Sequence, residues 1–198
     1  MPGDRIGAVP AHVTLEPLDE QLLTDLLHAA VADAEPGEVM PVEGPGSDWN
    51  AQREASFLAF HRNRALASPP VESTYGIRAD GEVVGAARLC PLPATPGAAE
   101  TGVWIGRSRR GAGIATAVFS GLIERAAAEG YAKLLVSTTA DNAAVLRMLT
   151  ARGIDYAVDG NAVTAWVNCV RPAVPHLPSH DGASERREPL RRIDCPRL

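Results

Sequence analysis

One stretch, Glu100 to Ala128, constrains this chain more than any other. Val103, Trp104 and Ile105 form an apolar run that predicts a strand. Ile114, Val118, Leu122 and Ala126 recur every four residues, with Ala117 and Gly121 beside them, which predicts a helix. Between them lies a turn rich in glycine and arginine, Arg107 to Gly113. The first amides of a helix have no intrahelical acceptor, and the helix dipole adds positive character at the same end. A glycine-rich turn leading into such an end is an anion site, and phosphate is the usual anion. Gly111 and Gly113 let the backbone approach a ligand closely, and Arg107, Arg109 and Arg110 bring charge. No Lys-Ser or Lys-Thr follows the second glycine, so the turn is not a P-loop. Thr116 stands where a dinucleotide fingerprint needs its third glycine.

Arg110-Gly111-Ala112-Gly113-Ile114-Ala115 resembles the pyrophosphate motif of the GCN5-related N-acetyltransferases, Arg/Gln-x-x-Gly-x-Gly/Ala. Its surroundings are similar as well. A strand is expected at Ala132 to Thr139, and Asp141-Asn142 opens a further helix that ends at Arg152-Gly153-Ile154. The specific motifs span about residues 98 to 156; elsewhere the likeness is one of topology alone.

The resemblance implies an α/β (α+β) fold: a mixed, mostly antiparallel twisted sheet of about seven strands, flanked by about four helices, with a V-shaped splay between the two central strands. It implies acetyl-coenzyme A as co-substrate. Arg109, Arg110, Gly111, Ala112, Gly113, Ile114 and Ala115 would hold its pyrophosphate. A backbone N–H near Trp104, Ile105 and Gly106 would polarise the thioester carbonyl. Asn142 would contact the pantetheine arm while capping its helix. Glu100, in the pair Ala99-Glu100, would be the catalytic base, acting directly or through water. The family's usual tyrosine acid falls at Leu149, which cannot donate a proton. Ser137, Thr138, Tyr131 or water are the substitutes, and Tyr156 lies beyond the helix.

Charge is distributed unevenly. Residues 1 to 100 hold 15 acids against 6 bases, and residues 101 to 198 hold 9 acids against 13 bases, for a net charge of −5. Nine of the acids fall between Arg5 and Arg53, where no lysine or arginine occurs. A globally acidic chain is poorly suited to binding nucleic acid through its phosphates. The split instead suggests one face for an anion and another for a cation. No apolar run is long enough to span a membrane, and the N-terminus lacks a secretory pattern. Cys90, Cys169 and Cys195 are an odd count without paired spacing, which points to a reducing cytoplasm rather than a disulfide framework. Cys169, His176, His180 and Cys195 match no standard zinc spacing, so no metal is expected.

In chain order, Val13 to Leu18 is expected as a strand. A helix follows from Glu20 to about Ala34, capped by Asp19, with Leu22, Leu23, Leu26, Leu27, Ala30 and Val31 inward. The stretch from Glu35 to Asp48 holds three prolines and three glycines and is expected as a loop. In the resembling family this region shapes the acceptor pocket. Glu35, Glu38, Glu43 and Asp48 would then face a cationic acceptor, with Met40 and Trp49 as apolar walls. A second helix runs from Trp49 to about Ala67, capped by Ser47 or Asp48. Two hairpins follow from Asp80-Gly81 and Asp159-Gly160-Asn161. The composition shifts at Arg171, giving one domain over residues 1–170 and a Pro/Arg-rich tail over 171–198.

Together these features predict an N-acetyltransferase acting on a primary amine of a small cationic acceptor, an aminoglycoside-type antibiotic or a polyamine. It would be cytoplasmic, with no nucleic-acid or membrane partner, and a homodimer is left open. Two alternatives are a non-catalytic acyl-coenzyme A-binding module, suggested by Leu149, and an acetyltransferase of protein N-termini.

Overall fold

In the computed structural model, residues 12–42 and 48–169 are described. Seven strands form one sheet: β1 (Val13–Pro17), β2 (Ser73–Ala79), β3 (Glu82–Pro91), β4 (Ala98–Ile105), β5 (Lys133–Thr139), β6 (Tyr156–Asp159) and β7 (Ala162–Asn168). Their spatial order is β1-β2-β3-β4-β5-β7-β6. Every neighbouring pair is antiparallel except β4 with β5. The helices are α1 (Glu20–Asp33), α2 (Pro36–Val39), α3 (Ala51–Ala65), α4 (Ile114–Ala128) and α5 (Ala143–Ala151), and a 3-10 turn covers Arg107–Arg109.

The alternation of strand side chains divides the apolar residues between two layers. Ile77, Leu89 and Ala99 pack with Ile114, Val118, Leu122 and Leu149 on the side of α4 and α5. Ala86 and Trp104 pack with Leu23, Leu26 and Phe57 on the side of α1 and α3. Leu22, Leu23, Leu26, Leu27 and Ala30 are buried as the spacing requires. Val31 is not; it is 40% exposed.

Asp19 caps α1 as expected, its Oδ1 accepting from the Leu22 amide at 2.7 Å. Three other expectations need correction. The stretch after Glu35 is not all loop: α2 is a single turn with Pro36 at its start, where a missing N–H costs nothing. The Glu35 amide donates to Glu38 Oε2 at 2.9 Å, so the two glutamates at the ends of this turn secure it. The cap of α3 is Asn50, whose Oδ1 accepts from the Arg53 amide at 3.0 Å, and the helix begins at Ala51. Asp48 contributes its carbonyl to the Arg53 side chain instead, and Ser47 lies outside the described residues. Finally, Cys90 is disulfide-bonded while Cys169 is free. The cysteine count and spacing alone therefore do not carry the expectation of a reducing compartment. Among the described residues, no helix is long and apolar enough to cross a membrane. The 171–198 tail lies outside them.

The parallel pair β4–β5 is short. It runs from Ala98↔Lys133 to Thr101↔Val136 and stops. Beyond it, β4 stays paired to β3 as far as Ile105, and β5 stays paired to β7 as far as Thr139. The two central strands therefore part after Thr101 and open a slot through the sheet.

Candidate functional site

The slot is part of a cleft of about 820 Å³. Its walls include Glu100 to Ile105 from β4, Gly111, Gly113, Ile114 and Ala115 from the turn into α4, Ser137 and Thr138 from β5, and Asn142 opening α5. The elements that a strand–turn–helix pattern predicted in sequence thus meet around one cavity.

At one end, Gly111 and Gly113 have φ of 79° and 77°. This is the left-handed region that residues with a Cβ adopt only at a cost. No side chain caps α4. Its first internal bonds run from Thr116 and Ala117 to the Gly113 carbonyl. Among the described residues, the amides of Gly111, Ala112, Gly113, Ile114 and Ala115 meet no protein acceptor. Five adjacent donors at a helix start fit a diphosphate. Replacing Gly113 with alanine is expected to weaken coenzyme A binding about tenfold, because the left-handed backbone becomes strained by about 1–2 kcal/mol. Isothermal titration of coenzyme A would read this.

The arginines of the turn face the chain's own carboxylates. Arg107 pairs with Glu35 at 2.8 Å and Glu38 at 3.1 Å. Arg110 donates from Nε to the Ile105 carbonyl at 2.9 Å and from a terminal nitrogen to Glu38 at 3.0 Å. Arg109 pairs with Glu82. Burial works to raise the Glu38 carboxyl, but the Glu35 amide and the guanidiniums of Arg110 and Arg107 outweigh it and hold the group below its usual value. Glu35 and Glu38, expected to face a cationic acceptor, both pair with arginines of the anion loop, and Glu38 also lines the cleft. Of the remaining acceptor candidates, Asp48 is exposed, and Glu43 lies outside the described residues. Trp49 donates its indole N–H to the Ala34 carbonyl at 2.8 Å and packs, with buried Met40, into the α1–α3 core.

A contact that the sequence did not signal ties α1 to the same loop. The Asp33 carboxylate accepts from the Ser108 amide at 3.0 Å and from its hydroxyl at 2.6 Å. A Cβ on Gly106 would collide with this carboxylate.

Across the slot, Glu100 lines the cleft at only 9% exposure. Among the described residues, its carboxylate has no hydrogen-bond or ion-pair partner. On the strand itself, the Gly106 amide donates to the Val84 carbonyl at 2.9 Å. In an antiparallel ladder, amides alternate between the two edges. The amides of Trp104 and Gly106 therefore face β3, and those of Val103 and Ile105 face the slot. Asn142 Oδ1 accepts from the Val145 amide at 3.3 Å, so it caps α5 at the cleft wall. Leu149 is fully buried in the core.

Residues 38–154 match the profile of the Acetyltransferase (GNAT) family. The chain belongs to this family. GNAT members are N-acetyltransferases that use acetyl-coenzyme A, and the bare amides at the start of α4 fit that co-substrate. No curated protein sequence matches significantly. Among solved structures, RimJ of Mycobacterium smegmatis in complex with a coenzyme A disulfide is 23% identical with a TM-score of 0.61, covering 81% of this chain and 84% of that one. RimL, a ribosomal L7/L12 α-N-protein acetyltransferase in complex with coenzyme A, is 17% identical with a TM-score of 0.60, covering 81% and 96%. A mutant form of the spermidine/spermine N-acetyltransferase SpeG of Vibrio cholerae is 11% identical with a TM-score of 0.56, covering 79% and 93%. At these identities the likeness is one of fold.

On the α1–α3 side of this GNAT sheet lies a buried charge cluster that the sequence did not reveal. Glu72, with no side-chain exposure, accepts from Arg64 at 2.8 Å and from Arg88 at 3.0 Å. Arg88 also reaches the cleft wall, over Gly102, where a Cβ would lie 2.7 Å from its Nε. His61 is buried between Phe57 and Phe60, and neither ring nitrogen has a partner among the described residues. Burial lowers its pKa from 6.5 to about 4. The Glu72 charge pulls it upward, and Arg88 and Arg64 push it down. The unfolded chain therefore binds the proton first as pH falls. Stability is full above about pH 6.5 and declines towards pH 4, by about 3 kcal/mol at that point. Urea unfolding across this range should show the decline in the native chain and a flatter profile in His61→Phe.

Proposed function

We propose that this chain transfers an acetyl group from acetyl-coenzyme A directly to the primary amine of a small acceptor, with Glu100 as the base. One observation carries this: a single cleft has unengaged helix-start amides at one end and a nearly buried, unpartnered carboxylate at the slot. Acetyl-coenzyme A supplies a thioester whose carbonyl carbon is open to attack by an uncharged amine. The amides from Gly111 to Ala115 hold the diphosphate. The amides of Val103 and Ile105 face the slot and stabilise negative charge as it builds on the carbonyl oxygen. Glu100 takes the proton from the amine nitrogen. Asn142 borders the path between the two ends.

The acceptor is best read as an amine with few further charges. The polycationic acceptor, an aminoglycoside or polyamine, drew its support from the acid-rich first half. Glu35 and Glu38 are occupied by Arg107 and Arg110, so the acids that would attract a polycation are already paired. Thiol release from acetyl-coenzyme A should be followed with monoamines, amino-acid amides, spermidine, a kanamycin-like aminoglycoside and a peptide N-terminus. Turnover is expected to be fastest on an amine of low charge. Preference for spermidine or the aminoglycoside would reverse that choice, and no turnover on any amine would favour the second reading.

The second reading is an acyl-coenzyme A-binding module without catalysis. Leu149 motivates it, because that helix position offers no proton donor.

A further inference from the structure

The leaving sulfur needs a partner, and Leu149 is not one. Three hydroxyl-bearing residues border the slot: Thr101, Ser137 and Thr138. Ser137 and Thr138 are half-buried, so water reaches them. Thr101 is different. It is 8% exposed, and its Oγ is buried with no hydrogen-bond partner among the described residues. It occupies the last rung of the β4–β5 pair, opposite Val136 on one side and Leu89 on the other. Both neighbours belong to the apolar layer that contains Leu149.

A buried hydroxyl without a partner costs the fold free energy. The apolar residues around Thr101 return none of it. The hydroxyl sits where the two strands part, one residue beyond Glu100 and on the opposite face of β4. The base and the hydroxyl thus flank the point where the slot begins.

Building on the proposed acetyl transfer, we propose that Thr101 is a catalytic hydrogen-bond donor to the thioester sulfur, in place of a proton-donating side chain on α5. The amine nitrogen forms a bond to the carbonyl carbon, and its proton passes to Glu100. The carbon–sulfur bond breaks, and its electron pair leaves with sulfur as thiolate. The Thr101 O–H donates to that thiolate without giving up its proton. The thiolate then takes a proton from solvent, and Glu100 returns one to solvent, so charge and protons balance. A hydrogen bond to a developing anion in a dry site is worth more than one in water.

Thr101→Val keeps the shape and removes the hydroxyl; Thr101→Ser keeps the hydroxyl. Because the lost group has no partner in the fold, Thr101→Val should unfold at the same temperature as the native chain or higher. Its kcat should fall about ten- to a hundredfold with the KM for acetyl-coenzyme A little changed, and Thr101→Ser should recover most of the loss. A second readout needs no acceptor: the thiol of bound coenzyme A, titrated by its thiolate absorbance. It should ionise about one pH unit lower on the native chain and on Thr101→Ser than on Thr101→Val. Equal midpoints, or an unchanged kcat in Thr101→Val, would overturn the role of Thr101 and leave the Glu100 assignment standing. A midpoint difference without turnover on any amine would support Thr101 and count against the acceptor reading. Failure to bind coenzyme A would overturn both.

Discussion

Glu100→Gln is expected to lower kcat about a hundred- to ten-thousandfold, the usual contribution of a positioned general base. Glutamine fills the same volume at the start of the slot, so the KM for acetyl-coenzyme A should hold. Glu100 stands in β4 between Cys90 of β3 and Leu135 of β5. The strand pairing on both sides fixes its backbone, so the substitution changes the chemistry and little else. Loss in kcat alone marks an interaction made in the transition state. The check is steady-state kinetics with the best amine from the panel, together with coenzyme A binding to the variant. A kcat close to that of the native chain would remove Glu100 from the reaction.

Glu72→Ala should destabilise the fold strongly, by about 3–5 kcal/mol. The carboxylate is wholly buried and holds two guanidiniums, Arg64 and Arg88, that are themselves 13% and 5% exposed. Removing it leaves two positive charges close together in a low-dielectric setting without the anion between them. Glu72→Gln keeps the shape and an acceptor oxygen and should cost less. Urea unfolding of both variants measures the difference. A loss below about 1 kcal/mol for Glu72→Ala would mean that water or another acid replaces the carboxylate. Because Arg88 also lines the cleft, the alanine variant should bind its acceptor less well even at temperatures where it remains folded.

Much of the fold was legible because its punctuation is local. Asp80-Gly81 and Asp159-Gly160 mark the hairpins, Gly113 opens α4, and apolar spacing separates strands from helices. What escaped was set either by very short range or by very long range. The α2 turn hides among prolines and glycines, and Pro36 at its first position together with the Glu35–Glu38 contact makes it helical. The destinations of the charges are tertiary: Glu35 meets Arg107 where the start of α2 lies against the turn after β4, and Glu72 meets Arg88 across the β2–β3 pairing. The backbone of the anion site could be read from its glycines, but the pairing of its arginines could not. Thr101 could not be singled out either, since a threonine in a strand is ordinary and only its missing partner sets it apart.

The pairing of the loop arginines bears on how the enzyme responds to ionic strength. Arg107, Arg109 and Arg110 each come with a carboxylate, from Glu35, Glu38 and Glu82, so the cluster is close to neutral when viewed from a distance. Long-range attraction of a polyanionic donor is therefore weak, and its capture relies on backbone dipoles that act over a few ångströms. The association rate of coenzyme A should fall only gently as salt is added, whereas three unpaired arginines would make it fall steeply.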